Sequence, residues 1–209
     1  MTDAIAQLLQ HQIAESHCPG ALAHVEASGR VLARHAAGVI RPDDAAPMHD
    51  GVRFRIASLT KPMVTLAALM LADEGRLDID APVHAYLPAL TALRMPDGQP
   101  PPRAPTVRDL MRHTSGLAYP YEIADAAVRA AWLAAGLAPG SAGLDSAALL
   151  ARLAQLPLAA APGTAFRYGY STDVLGCMVE RLEGVRLAEV LQRRLFGPLG
   201  MRQTGFEET

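Results

Sequence analysis

Apolar residues recur at helical spacing from the start of the chain. Ile5, Leu8, Leu9 and Ile13 share one face of a helix expected over 3–16, which Cys18-Pro19-Gly20 ends. The period then shortens: "ALAHVEA" and "VLARHAA" flank "SGR" and predict a β-hairpin of about seven residues per strand. "RPDDAAPMHDG" predicts a loop, and "VRFRIA" a short strand or extended lead-in. A long apolar helix is predicted from about Ser58, with Gly75 as its stop. The proline-rich "MPDGQPPPRAP" predicts a surface excursion. Thr106-Val107-Arg108-Asp109 resembles a capping box and opens a short helix closed at "HTSGL", where Gly116 is the expected cap. Further helices are expected over 124–137, 145–156, 171–183 and 187–196, the stretch "PLAAAPGTAFRYG" between them being extended or looped. A helix, a hairpin and then a long helical region make an α+β chain rather than an alternating βαβ one.

Composition narrows the class. Half of the 209 residues are hydrophobic and 19% are charged, with a formal net charge of −2, as in a globular protein with a real core. That charge offers neither a basic surface for nucleic acid nor a polybasic membrane patch, so neither partner is expected. The seven histidines and two cysteines form no HxxxH or CxxC pattern, so no metal and no cofactor is expected. Cys18 and Cys177 are expected to be reduced, partly buried thiols. Residues 63–72 are the nearest approach to a membrane span and stop at Asp73-Glu74-Gly75. The N-terminus lacks the basic start and apolar run of a signal peptide, and a cytoplasmic location is expected.

The candidate chemistry lies at Ser58 and Lys61. Positions i and i+3 share a helix face, so hydroxyl and ammonium can meet. Pro62 is tolerated only in a first turn, which places Ser58 at the helix N-terminus, where orphan N–H groups and the dipole favour negative charge. A free lysine, with a pKa of about 10.4, is a poor base until desolvation or nearby positive charge lowers it. Alone, the pair reads better as an N-cap serine with a solvated lysine one turn on than as a catalytic pair.

The motifs "RIASLTKPMVTLAALMLADEGRLDIDAPVHAYLP", "TVRDLMRHTSGL", "PGTAFRYG" and "PLGMRQTGF" follow one another in an order that resembles the serine β-lactamase-like, penicillin-binding-protein-like superfamily, in its class C-like branch with esterases and D-aminopeptidases. The resemblance covers nearly the whole chain. It implies a β-lactamase/transpeptidase-like fold over 1–209, with a helix and sheet portion over 1–57 and a mainly helical region over 58–209. It implies that Ser58 is the acylated nucleophile and Lys61 its general-base partner. The branch's second motif, Tyr-x-Asn, falls on Tyr168 or Tyr170, and the spacing to "STDVLG" favours Tyr168. The family's asparagine is then Tyr170, a departure that favours esters over β-lactams or other amides. His113 is expected to pack beside the site rather than act in it. Asp78, Asp80 and Asp173 are expected at helix ends or on the surface, and Arg53, Arg55 and Arg167 in solvent. No Lys-Thr-Gly or His-x-Gly follows "PLGM", so the chain is expected to be the N-terminal part of a longer hydrolase, without the C-terminal sheet strands. An incomplete oxyanion hole would cost on the order of 10²–10³ in rate, and an uncovered sheet edge would invite association. The alternative is a catalytically incomplete relative that binds or folds with a partner.

Overall fold

The computed structural model describes residues 2–15, 17–137 and 143–206. The chain divides into two compact units, Met1–Arg55 and Ile56–Thr209.

In the first unit, helix α1 (Thr2–Ala14) packs on strands β1 (Gly20–Ala27) and β2 (Arg30–Arg41). Ile5, Leu9 and Ile13 are half-buried, whereas Leu8 is exposed, so the apolar stripe is narrower than its spacing suggests. Ser16, the last residue of the expected helix, lies outside the described residues. Ser28 and Gly29 both take positive φ, 50° and 71°, which joins β1 to β2 through a two-residue turn whose twist matches the strands. The hairpin runs longer than expected, to twelve residues in β2. The segment expected to be a loop holds a third strand, β3 (Asp44–Pro47), antiparallel to β2 with Val39 opposite Pro47. It escapes a pattern search because four residues ending in proline show no alternation. An edge position tolerates that proline, which has no N–H to donate.

The second unit holds a helical core. Helix α2 (Thr60–Asp73) buries Val64, Ala67, Ala68 and Leu71, and α7 (Ser171–Glu183) packs against it. Around them lie α3 (Val83–Tyr86), α4 (Val107–Met111), α5 (Ala126–Ala134), α6 (Ser146–Leu153) and α8 (Leu187–Leu191). The helices expected over 124–137 and 145–156 are shorter: Asp125 and Asp145 are N-caps that accept backbone N–H bonds and set their starts, and the helices end at Ala134 and Leu153. The helix expected over 187–196 turns from α to a π-turn over Gln192–Phe196. Trp132 is fully buried and donates its indole N–H to the Pro157 carbonyl at 2.9 Å.

The capping box forms as expected. Thr106 accepts from the Asp109 N–H, and the Asp109 carboxylate accepts from the Thr106 N–H at 2.9 Å. Asp109 also receives both arms of Arg103, at 2.5 and 3.0 Å, and the Thr114 hydroxyl at 2.9 Å. Burial alone would raise the pKa of this carboxyl. The four hydrogen bonds outweigh it and hold the value at about 2. Gly116 is not the cap of α4: His113, at φ 54°, takes the left-handed position beyond it, two residues after Met111.

Candidate active site

Ser58 is presented by a single 3₁₀ turn, Ala57–Leu59, that leads into α2 rather than by the helix itself. Ala57 before it sits at φ 43°, a strained conformation for a residue with a Cβ, of the kind that aims side chains at functional sites. Pro62 is the third residue of α2, where its missing N–H would have had no intrahelical partner. Lys61 thereby comes one turn after Ser58 and donates from Nζ to Ser58 Oγ at 3.3 Å.

Tyr168 and Tyr170 are separated clearly. The Tyr168 hydroxyl donates to Ser58 Oγ at 2.6 Å, and Lys61 Nζ stands 4.8 Å from the centre of its ring. Tyr170 is buried, its ring 6.0 Å from Trp132 and 4.8 Å from Tyr119. Burial would raise the Tyr168 pKa, but the hydrogen bonds with Ser58 and Lys61 and the Lys61 charge together pull it below 10. Tyr119, whose ring lies 5.6 Å from that of Tyr168, moves the other way, pushed up by burial and by Asp173.

The segment carrying Tyr168 is clamped along its length. Arg167 N–H donates to the His113 carbonyl at 2.8 Å, and Tyr119 N–H to the Tyr168 carbonyl at 2.9 Å. Gly169 lies so close to the Ala118–Tyr119 backbone that a Cβ there would fall 2.4 Å from Ala118 C and Tyr119 N. Two fully buried hydroxyls, Ser115 and Ser171, pair at 2.8 Å just beyond it. "HTSGL" is thus the rail along which the second motif runs, a role that nothing in its local spacing signals.

The three groups open into a cleft of about 450 Å³ whose walls include Val64, Tyr119, Tyr121, Leu187 and Phe206, with Thr172 and Asp173 at its edge. Asp173, in the first turn of α7, reaches solvent but is crowded enough that desolvation raises its pKa against the pull of Lys61. Asp80 stands outside the site in a two-pronged ion pair with Arg108, and Asp78 accepts the Asp80 N–H. Arg167 hydrogen-bonds the Phe166 carbonyl, while Arg53 and Arg55 belong to the first unit. Burial pushes the Cys177 thiol up to about 11, and both cysteines are free. Among the described residues no three His, Cys, Asp or Glu side chains cluster closely enough to hold a metal, and no helix is long and apolar enough to cross a membrane.

A serine joined to a lysine one turn on and to a tyrosine from a distant segment, in a chain of one mainly helical unit and one with a small antiparallel sheet, fits a β-lactamase/transpeptidase-like α+β fold. The chain belongs to the Beta-lactamase family, whose profile matches residues 5–209. It is 39% identical over 193 residues to esterase EstB of Burkholderia gladioli, covering 92% of this chain and 48% of that protein. It is 32% identical over 160 residues to the lovastatin esterase of Penicillium rubens, covering 72% and 39%. The solved structure of EstCE1, described as a hydrolase with promiscuous acyltransferase activity, superposes with a TM-score of 0.88 at 32% identity, covering 98% of this chain and 53% of that one. The chain therefore spans about half the length of the relatives it matches, or less.

Proposed function

We propose that this chain is a serine hydrolase that forms an acyl-enzyme on Ser58, with carboxylic esters favoured over β-lactams and other amides. The observation that carries the reading is the Tyr168 hydroxyl at 2.6 Å and the Lys61 ammonium at 3.3 Å from one serine oxygen. Tyr168, its pKa drawn down, acts as the base: its phenolate takes the Ser58 proton as Oγ attacks the ester carbonyl. As the tetrahedral intermediate collapses, the C–O bond to the alcohol breaks and the leaving oxygen receives that proton from Tyr168. Water then repeats the sequence on the acyl-enzyme, releasing the acid and restoring Ser58. Lys61 holds Oγ and the phenolate by charge throughout, and the N-terminal end of α2 adds its partial positive charge. Tyr170 where the family carries asparagine, together with the esterases among the relatives, supports esters over β-lactams.

A fluorophosphonate probe tests this. Intact-mass and peptide mapping should find one adduct, on Ser58, and Ser58→Ala should abolish it; labelling that survives this substitution refutes the assignment. A second reading, an incomplete site that binds or folds with a partner without turnover, is favoured by the span of about half the relatives' length. Labelling of Ser58 without hydrolysis of p-nitrophenyl esters would select it.

A further inference from the structure

We propose that His113 is a positioning residue for this site: as a neutral imidazole protonated on Nε2, it fixes the Tyr168-Gly169 backbone and the Tyr168 ring so that the phenol reaches Ser58. The inference rests on the reading of Ser58 and Tyr168 just given.

Four contacts carry it. The Gly169 N–H donates to His113 Nδ1 at 3.4 Å, so Nδ1 is an acceptor and the ring's proton belongs on Nε2. Nε2 in turn faces the Thr172 hydroxyl at 3.4 Å, on a side chain that is 5% exposed. The ring lies against that of Tyr168, centres 4.8 Å apart, with Phe166 at 5.8 Å. Finally, the His113 carbonyl accepts the Arg167 N–H at 2.8 Å. One residue therefore holds the backbone on both sides of Tyr168, its ring face and the first turn of the helix that follows. It does so from φ 54°, a left-handed conformation that histidine and asparagine adopt more readily than most residues.

The same geometry makes the clamp sensitive to acid. A second proton would have to go on Nδ1, setting N–H against the Gly169 N–H and placing a cation near Lys61. Burial and the Lys61 charge already hold the His113 pKa below 6.5, so the clamp stays closed at neutral pH and opens on acidification. The groups around the ring are Lys61 on α2, Tyr168 on the facing segment, and Asp173 next to Thr172 on α7. Arg112 precedes it in the chain, Arg167 stands beside Tyr168 on the facing segment, and Asp109 on α4 is occupied by Arg103.

The test is the rate of Ser58 labelling by the fluorophosphonate probe between pH 5 and 9 in the 209-residue chain, His113→Ala and His113→Asn. In the parent, labelling should decline on acidification as Tyr168 is protonated, and show a further, steeper acid limb once His113 takes its second proton. His113→Ala should label about tenfold more slowly at pH 8. His113→Asn, which tolerates the left-handed backbone and has a side-chain oxygen to accept the Gly169 N–H, should recover to within about threefold of the parent at pH 8 and lose that steeper acid limb, keeping only the decline set by Tyr168. Should His113→Ala fail to fold, His113→Asn alone decides, since only titration of His113 removes the limb on that substitution. An unchanged acid limb in His113→Asn, or parental rates in His113→Ala, overturns the inference. Absence of Ser58 labelling in the parent would instead sink the hydrolase reading itself.

Discussion

Replacing Tyr168 by phenylalanine removes one oxygen and little else. The ring keeps its neighbours, His113 at 4.8 Å and Tyr119 at 5.6 Å, and the backbone keeps its bonds to His113 and Tyr119, so the variant should fold. What is lost is the hydroxyl 2.6 Å from Ser58 Oγ, the group whose pKa is drawn below 10. Positioned proton transfer contributes about 10²–10⁴-fold, so Ser58 acylation should slow by about 10²-fold or more. The pH profile adds a sign. A base works when deprotonated, so labelling of the parent should rise with pH and level off below pH 10. Tyr168→Phe should lack that rise. Tyr170→Phe serves as the control: its ring is buried against Trp132 and Tyr119, away from Ser58, so the substitution should change stability by about 1 kcal/mol and the labelling rate little. Second-order labelling rates followed by intact mass decide the matter. A larger loss in Tyr170→Phe than in Tyr168→Phe would refute the reasoning.

Two further outcomes follow from the way the site is held. Gly169→Ala places a Cβ 2.4 Å from the Ala118–Tyr119 backbone; it should destabilise by about 1–3 kcal/mol and slow Ser58 labelling, and parental urea midpoint and rate together would contradict the clamp. Asp109→Asn should cost on the order of 2 kcal/mol at pH 7, from a carboxyl held at about 2 rather than 3.8. A depressed pKa contributes stability above 3.8 that is lost as pH falls toward 2. The gap between parent and variant in urea midpoints should therefore narrow through that window, and a gap constant from pH 7 to pH 2 would count against the network.

What could be read from residues alone was whatever depends on short-range periodicity. Ser58 and Lys61 stand i and i+3 beside a proline that only a first turn accepts, and Tyr168 precedes a strongly amphipathic helix by a fixed count. The capping box at Thr106 and Asp109 is equally local. Strand β3 was invisible because its four residues obtain their conformation from pairing with β2, not from their own pattern. The role of "HTSGL" was hidden for the same reason. Its bonds run from His113 to Gly169 and Thr172 and from Ser115 to Ser171, more than fifty positions away. Glycine at 116 looks like a helix stop and does take φ 85°, yet the left-handed residue that follows α4 is His113, where a side chain is needed and glycine would leave the clamp empty.

The three site groups stand at or just before the starts of two helices, and the packing of those helices sets their distances. Ser58 and Lys61 stand at the N-terminal end of α2, and Tyr168 stands just before the N-terminal end of α7, so the 2.6 Å contact between them puts both starts together. The other ends meet as well: Arg76, past the end of α2, donates to Glu183, the last residue of α7, at 2.6 Å and to the Leu182 carbonyl at 2.6 Å. The helices are therefore parallel, each about 20 Å long. Parallel dipoles repel side by side, and the sequence answers at both poles. At the C-terminal pole Arg76, Arg193 and Arg194 gather around Glu74 and Glu183, bringing cations to where backbone carbonyls accumulate negative charge. At the N-terminal pole the compensating negative charge is only partly resident, in Asp173. In the proposed mechanism the remainder is the charge of the Tyr168 phenolate, which passes to the oxyanion when Ser58 attacks. A parallel pair pinned by arginines at one end would thus leave at the other a site suited to hold one negative charge as it moves from Tyr168 to the substrate oxygen.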